Sequence, residues 1–382
     1  MDVAGDPTIF FRIVLPLLKP ALAVMSILVF NNVWNDFLWP LIVISDEHLF
    51  VLTLALPSLT GPYGSEYGLI LAGALLASLP VILPFIFLQR QFIEGLMAGE
   101  LKTEGEKSMA DWISGDCTAN GIRIHYSRTG GDKPPLVLSH GATDSGLCWT
   151  QVARALEADY DIIMPDARGH GLSDAPDRGY TSEERAADLA GLIQSLGLTK
   201  PALGGHSMGA QTTFQLVATA PHLARCAILE DPGFRLMPGQ SPESAPPAGA
   251  SRLREMVLEM KSHTRDEMIA LCRQRSPNWD EEELGPWADA KIQVSEKFLT
   301  AMRPPSETPW WELLPKVTCL TLLVTADPDK GAIVTPEVAK EAERINQRLR
   351  AIRLPGAGHN IRRERFDGFV PAVRSFLAET RG

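Results

Sequence analysis

The chain has 382 residues and a formal net charge of −10, so its length allows two or three domains. The acidity is shared equally between residues 1–108 and 109–382, which argues against nucleic acid as a partner of either part. All five cysteines fall in the second part without a C-x-x-C pair, which favours unpaired thiols in a reducing compartment over a disulfide framework or a zinc site.

Two long apolar segments come first in chain order. Residues 21–44 contain one charged side chain, Asp36, and residues 68–89 contain none. Each segment is long enough to cross a hydrocarbon core of ~30 Å as a helix. No Lys or Arg lies between Lys19 and Arg90, so the positive-inside rule places both ends of the pair in the cytoplasm. We therefore predict a two-helix transmembrane hairpin in the inner membrane, followed by a cytoplasmic domain; a buried helix pair in a soluble protein is the alternative.

This first part resembles the last two helices of a sugar-importer ABC permease of the maltose type, through the stretches FFRIVLPLLKPAL, WNDFLWPL and FLQRQFIEGLMAGELK. The resemblance covers residues 1–102 and implies other ABC transporter subunits as possible partners. It also implies that the chain starts inside the loop that contacts the ATPase subunit and lacks the earlier helices. Two spans cannot enclose a translocation path, so we do not expect transport by this chain alone.

Residues 103–116 include the polar, charged run TEGEKS and are interpreted as a linker. Met109 lies inside this linker and could itself start a protein. A second domain then covers residues 117–382. We interpret the chain as a truncated membrane segment joined to an enzyme.

Short apolar runs alternate with helical periods throughout this second domain. The runs in IRIHYSR, PPLVLSHG, YDIIMPDARG and PALGGHSMGA read as strands, and TSEERAADLAGLIQSLG reads as an amphipathic helix that begins with a capping box at Thr181 and Glu184. This pattern predicts an α/β fold with a mostly parallel sheet and helices on both faces.

The most specific motif is Gly205-His206-Ser207-Met208-Gly209, between the strand PALG and the helix AQTTFQLVATA. A G-x-S-x-G sequence at a strand-to-helix turn is typical of a serine nucleophile on a strained backbone. The motif therefore predicts Ser207 as the nucleophile; the alternative is a glycine-rich connection that carries an exposed serine.

His359 is the predicted general base. It follows the late strand RAIRLPG and precedes the last helix, which gives the chain order serine, acid, histidine. His206 is adjacent to the serine on a turn that points its side chain elsewhere, His140 belongs to a loop after an early strand, and His170 is interpreted as a turn residue.

Together these motifs make residues 117–380 resemble the α/β-hydrolase superfamily, in its esterase, lactonase and cofactor-free haloperoxidase branch. The resemblance favours Asp329 as the triad acid, and Asp231 is the alternative because some hydrolases of this fold place the acid there. It also implies that the backbone N–H groups of Ala142 and Met208 form the oxyanion hole.

The strand pattern stops over residues 234–315, which are rich in Met and Trp. Such an insert is expected to form a helical cap over the serine. Its aromatic residues either line an apolar substrate pocket or form the core of the cap.

These observations predict a serine hydrolase that cleaves a small hydrophobic ester or lactone through an acyl-enzyme, without a metal or an organic cofactor. C–C bond hydrolysis or a cofactor-free perhydrolase or haloperoxidase reaction would use the same residues and stays open. The non-enzymatic alternative is a membrane component of a sugar ABC importer whose hydrolase-like domain only binds a ligand.

Overall fold

The computed structural model describes residues 25–26, 29–44, 46–58, 60–61, 64–65, 68–82, 112–240, 250–301 and 308–380. The chain divides into two compact units, Met1–Ser108 and Met109–Gly382.

The first unit consists of short helices in its described parts. Residues 29–34 and 68–82 are helical, with Leu38–Val43, the single turn Glu47–Leu49, Leu52–Ser58 and a small hairpin of Thr60–Gly61 with Gly64–Ser65 between them. Among the residues that the structure describes, none of the helices has the length and apolar character needed to cross a membrane.

The first predicted span, residues 21–44, is broken in its described part. Asn35 Nδ2 donates to the Asn31 carbonyl at 2.9 Å, and Asp36 Oδ1 accepts from the Trp39 N–H at 3.3 Å. Residues 35–37 lie between two short helices, and the Asp36 carboxylate accepts from the first turn of the second helix. The second predicted span is helical over residues 68–82, and its remainder lies outside the described residues. The transmembrane hairpin therefore stays a prediction.

The second unit is built on an eight-stranded sheet, which positions the candidate site. Its strands are β1 Ile113–Ala119, β2 Ile122–Arg128, β3 Pro135–Ser139, β4 Asp161–Pro165, β5 Ala202–His206, β6 Cys226–Glu230, β7 Leu320–Thr325 and β8 Leu349–Arg353. Their order is β8-β7-β6-β5-β3-β4-β2-β1. The pairs from β8 to β4 are parallel, and β2 and β1 add an antiparallel edge.

Helices cover both faces of this sheet, as the sequence predicts. The helices of the second unit are α1 Thr150–Leu156, α2 Ser182–Ser195, α3 Met208–Thr219, α4 Ala250–Met260, α5 Arg265–Arg275, α6 Glu281–Gln293, α7 Glu296–Ala301, α8 Trp310–Leu313, α9 Pro336–Ile345, α10 Ile361–Glu364 and α11 Phe366–Glu379. One core packs α2, α3 and α9 on the sheet, and a second core packs α1 and α11 on the opposite face. Neighbouring residues of β7, Leu322 and Leu323, enter different cores because strand side chains alternate between faces.

Helices α4 to α8 fill the stretch between β6 and β7, where the sequence predicts a cap. Their Met and Trp side chains mainly make a core within the insert, formed by Met260, Met268, Cys272, Leu284, Trp287 and Ala288 with Met256 and Trp279 packed against it. Trp310 stacks on Phe234 at 4.9 Å between ring centroids and belongs to the sheet core. Most of these large side chains therefore stabilise the fold.

Candidate active site

Ser207 lies in the turn that joins β5 to α3, with φ +52° and ψ −112°. A non-glycine residue in this region is strained. A Cβ on Gly205 would lie 2.3 Å from the Gly209 carbonyl carbon, and a Cβ on Gly209 would lie 2.1 Å from the Ser139 oxygen. Glycine is therefore required on both sides of the serine, which is the physical basis of the G-x-S-x-G pattern.

His359 and Asp231 form a short hydrogen bond, with 2.6 Å between Nδ1 and Oδ2. The Asp231 side chain is completely buried, while 31% of the His359 side chain is exposed. Asp231 Oδ1 also accepts from the N–H groups of Ile333 and Val334, at 3.0 and 2.9 Å. A carboxylate at this position favours the imidazole tautomer that carries its proton on Nδ1, which leaves Nε2 unprotonated.

The histidine is also held beside the serine turn. His206 Nε2 donates to the carbonyl of His359 at 2.9 Å, and the two rings are 4.7 Å apart between centroids. His206 directly precedes Ser207, so this contact ties the loop of the candidate base to the turn of the candidate nucleophile.

Asp329, which the sequence reasoning favours as the acid, lies apart from this arrangement. It is exposed in the short 3₁₀ helix Pro328–Lys330, and no hydrogen bond joins it to His359 in the described part of the chain. Its neighbour Asp327 accepts from Arg353 Nη2 and the Gly356 N–H, both at 2.8 Å. The structure thus brings Asp231, which directly follows β6, to His359 and leaves Asp329 outside the arrangement.

The loop after β3 carries the predicted oxyanion donor Ala142. A Cβ on Gly141 would lie 3.5 Å from Ser207 Cβ, so the loop contacts the serine turn. Gly141 and Asp144 close a tight turn through a 3.1 Å backbone hydrogen bond. Within the described residues, no acceptor binds the N–H of Ala142 or of Met208. Two such N–H groups beside a serine are what an oxyanion hole requires.

The other histidines near the serine have structural contacts. Ala167 N–H donates to His140 Nε2 at 2.9 Å, and Thr143 N–H donates to His170 Nε2 at 3.4 Å. Burial lowers the pKa of His140 and holds the pKa of His170 and His206 well below the ordinary value. The neutral imidazoles of His140 and His170 accept from the backbone and fix these loops, in agreement with the interpretation of His170 as a turn residue.

Sequence reasoning missed a buried cluster of charges at the loop after β3, residues 140–145, which carries the predicted oxyanion donor and is called the oxyanion loop below. Asp144 binds Lys291 Nζ at 2.9 Å, Arg363 Nη1 at 3.2 Å and Arg362 Nη2 at 3.3 Å. Burial acts to raise the pKa of Asp144, but Arg363, Lys291 and Arg362 outweigh it and hold the pKa well below the ordinary value. No local pattern announces this cluster, because Asp144 and Lys291 are 147 residues apart.

The helical insert α4 to α8, the predicted cap, contributes an apolar surface to the same region. Val257, Val294, Phe298 and Leu299 form a buried cluster with Tyr180, and the side chains of Ala142 and Met208 pack against it. The described residues contain no group of three or more His, Cys, Asp or Glu that could hold a metal ion. The cysteines are all free thiols.

Each of the two parts of the chain matches the model of a known protein family. Residues 136–372 match the model of the alpha/beta hydrolase family, and residues 1–95 match that of the binding-protein-dependent transport system inner membrane component. The N-formylmaleamate deformylase of Pseudomonas putida is 31% identical over 278 residues, which are 69% of this chain and 96% of that protein. The crystal structure of an N-formylmaleamic acid deformylase from Pseudomonas putida S16, 25% identical, has a TM-score of 0.58 and covers 69% of this chain and 100% of that one.

The first part is similar to the arabinooligosaccharides transport system permease protein AraQ of Bacillus subtilis. The identity is 48% over 102 residues, which are 27% of this chain and 36% of the permease, so the chain spans about a third of that relative. Both resemblances predicted from the sequence are confirmed. The chain belongs to the alpha/beta hydrolase family and carries an ABC-permease-like segment before the hydrolase.

Proposed function

We propose that this member of the alpha/beta hydrolase family is a serine hydrolase that works through an acyl-enzyme. Ser207 is the nucleophile, His359 is the general base, and Asp231 orients the imidazole. The observation that carries the proposal is the 2.6 Å bond between Asp231 and His359 beside the strained turn of Ser207. The N–H groups of Ala142 and Met208 are the proposed oxyanion donors.

The reaction has two steps. Ser207 Oγ adds to the substrate carbonyl while His359 Nε2 takes its proton, and the developing oxyanion is stabilised by the two N–H groups. Collapse of this intermediate breaks the bond to the leaving oxygen or nitrogen, which takes the proton from His359 and becomes an alcohol or an amide. A water molecule, deprotonated by the same imidazole, then releases the acid and regenerates Ser207.

For the substrate we propose a small ester or lactone with an apolar acyl group. The apolar cluster of Val257, Val294, Phe298 and Leu299 beside Ala142 and Met208 supports this class. A second candidate is an N-formyl amide, because the relative that shares 96% of its length with this chain is a deformylase by name. Both reactions use the same acyl-transfer groups and differ in the leaving atom.

An active-site probe tests the mechanism in the full-length chain. We expect a fluorophosphonate to label wild-type protein on Ser207 and to leave Ser207→Ala unlabelled, with ester hydrolysis lost in the same variant. Equal labelling of both proteins would refute the proposed nucleophile. Turnover of a panel of aryl esters, lactones and N-formylmaleamate then assigns the class; hydrolysis of the amide alone would overturn the ester and lactone proposal.

For the first part we propose attachment to the inner membrane, with ABC transporter subunits as possible partners. The similarity to a transport permease supports this proposal. Fractionation of cells that express the full chain tests it: we expect the protein in the membrane pellet, resistant to high salt, and recovery in the supernatant would contradict attachment.

A further inference from the structure

The oxyanion loop contains a strained residue at Thr143. Its φ is +69°, a left-handed conformation that is unusual for a β-branched side chain. Such a conformation persists only where surrounding contacts hold it. The Thr143 N–H donates to His170 Nε2 at 3.4 Å, which is a long hydrogen bond. The next N–H, that of Asp144, closes the turn onto Gly141.

A lysine of the cap donates a hydrogen bond to the Thr143 carbonyl. Lys291, on helix α6, donates through Nζ to this oxygen at 2.8 Å and to Asp144 Oδ1 at 2.9 Å. The Lys291 side chain is only 5% exposed, and its ammonium lies 5.0 Å from the centre of the Trp287 ring. A buried ammonium group is therefore shared between two successive residues of the oxyanion loop.

Asp144 connects the same point to the loop of the candidate base. It binds Arg362 and Arg363, which lie in α10, close after His359. Arg363 Nε in turn binds Glu283 Oε2 at 2.6 Å, and Glu283 belongs to α6 like Lys291. Helix α6 thus contacts the oxyanion loop directly and the base loop through Arg363.

We propose that Lys291 is a positioning residue of the hydrolase, which holds Thr143 in its left-handed conformation and thereby directs the adjacent Ala142 N–H toward the reacting carbonyl. The proposal rests on the serine hydrolase mechanism proposed above. It makes the cap a support of the oxyanion hole as well as a source of apolar surface. Lys291 itself does not touch the substrate.

Loss of the Lys291 contact should change kcat rather than KM. The oxyanion forms in the transition state, so a misplaced donor lowers kcat with little effect on ground-state binding. A general loosening of the cap would instead weaken substrate binding and raise KM. The split between kcat and KM therefore separates positioning from a structural role.

Lys261 offers a matched control within the cap. Its Nζ also donates to two backbone carbonyls, of Ile292 at 2.6 Å and of Val294 at 2.7 Å, but these belong to the cap itself. Lys291→Met and Lys261→Met each remove an ammonium group and two hydrogen bonds. Only the first variant loses a contact with the oxyanion loop.

The experiment compares the two variants with wild type in the full-length chain, with rates normalised to active sites titrated by a fluorophosphonate. For Lys291→Met we expect kcat to fall about ten- to a hundredfold with KM within about twofold. An aryl trifluoromethyl ketone, whose adduct with Ser207 carries an oxyanion, should lose affinity in parallel. Lys261→Met should match wild type in all three measurements.

A second variant guards against poor folding of Lys291→Met. Lys291→Gln keeps an N–H donor for the Thr143 carbonyl, so we expect it to recover part of the lost kcat. Equal kcat and equal ketone affinity in Lys291→Met, Lys291→Gln and Lys261→Met would overturn the proposal. Failure of wild-type protein to react with the fluorophosphonate would instead refute the serine mechanism on which it rests.

Discussion

The proposed choice of Asp231 as the triad acid rests on one hydrogen bond, between Asp231 and His359. We expect Asp231→Asn to lower kcat by roughly four orders of magnitude, because an amide no longer holds the imidazole in the tautomer that a base requires. Asp329→Asn is the matched control, since Asp329 is exposed and should leave kcat within about twofold. Steady-state ester hydrolysis measures both, and a large loss in the Asp329 variant alone would reverse the assignment.

We expect His170 to make the stability of the fold depend on pH. Burial holds its pKa well below the ordinary value in the folded state, so below about pH 6.5 the unfolded chain binds a proton that the folded protein does not. The free energy of unfolding must therefore decrease as the pH falls. We expect the slope between about pH 6 and 5 to be smaller in His170→Gln by up to ~1.4 kcal/mol per pH unit. Urea denaturation at several pH values measures it, and identical slopes would contradict a neutral buried His170.

Individual site residues can be predicted from the sequence where the residues that determine their geometry are neighbours in the chain. The turn around Ser207 is a five-residue pattern with a local steric cause, and its glycines are readable directly. Asp231 and Asp329 both follow strands, so the choice between them depends on how the loops converge in three dimensions. Lys291 has no local signal at all, because its partners Thr143 and Asp144 belong to a distant loop.

The turn that carries Ser207 requires the backbone of Gly209 to lie close to the backbone of Ser139. A Cβ on Gly209 would lie 2.1 Å from the Ser139 oxygen on β3, and the backbone cannot yield as a flexible side chain could. We expect Gly209→Ala to lower the free energy of unfolding by roughly 3 kcal/mol or more and to abolish labelling of Ser207.

Gly121 provides the comparison for this prediction. It lies in the tight turn between β1 and β2 at φ +78°, and a Cβ there would have nothing within 4 Å. Gly121→Ala should cost only ~1–2 kcal/mol for the left-handed backbone, with labelling retained. Equal losses of stability in the two variants, measured by chemical denaturation, would show that steric exclusion at Gly209 is not the cause.

Secondary structure in the second unit could be predicted because buried parallel strands are continuous apolar runs. The antiparallel edge formed by β1 and β2 is not implied by that pattern, and the order of strands in the sheet is a long-range property. In the first unit hydropathy alone predicted one helix over residues 21–44. Its described part is divided at residues 35–37, where Asp36 accepts from the Trp39 N–H, and an average of hydropathy over a window of residues cannot register such a local contact.

On the scale of the whole molecule, the two units differ in how much of a known relative each of them matches. The hydrolase model covers residues 136–372, and the deformylase relative is matched over 96% of its length. The permease relative is matched over only 36% of its length. The second unit therefore contains nearly everything that its relative contains, whereas the first contains a fraction of what its relative contains.

The second unit should therefore fold and act without the permease-like segment. Both cores of the hydrolase unit consist of residues beyond Met109, as do the sheet and the groups around Ser207. We expect residues 109–382, expressed alone, to remain in the supernatant, to unfold cooperatively and to retain kcat and fluorophosphonate labelling within about twofold of the detergent-solubilised full chain. Ser207→Ala in the same truncated chain is the control for background hydrolysis. Aggregation of the truncated chain, or a loss of kcat with Ser207 still labelled, would mean that the permease-like segment supports the enzyme.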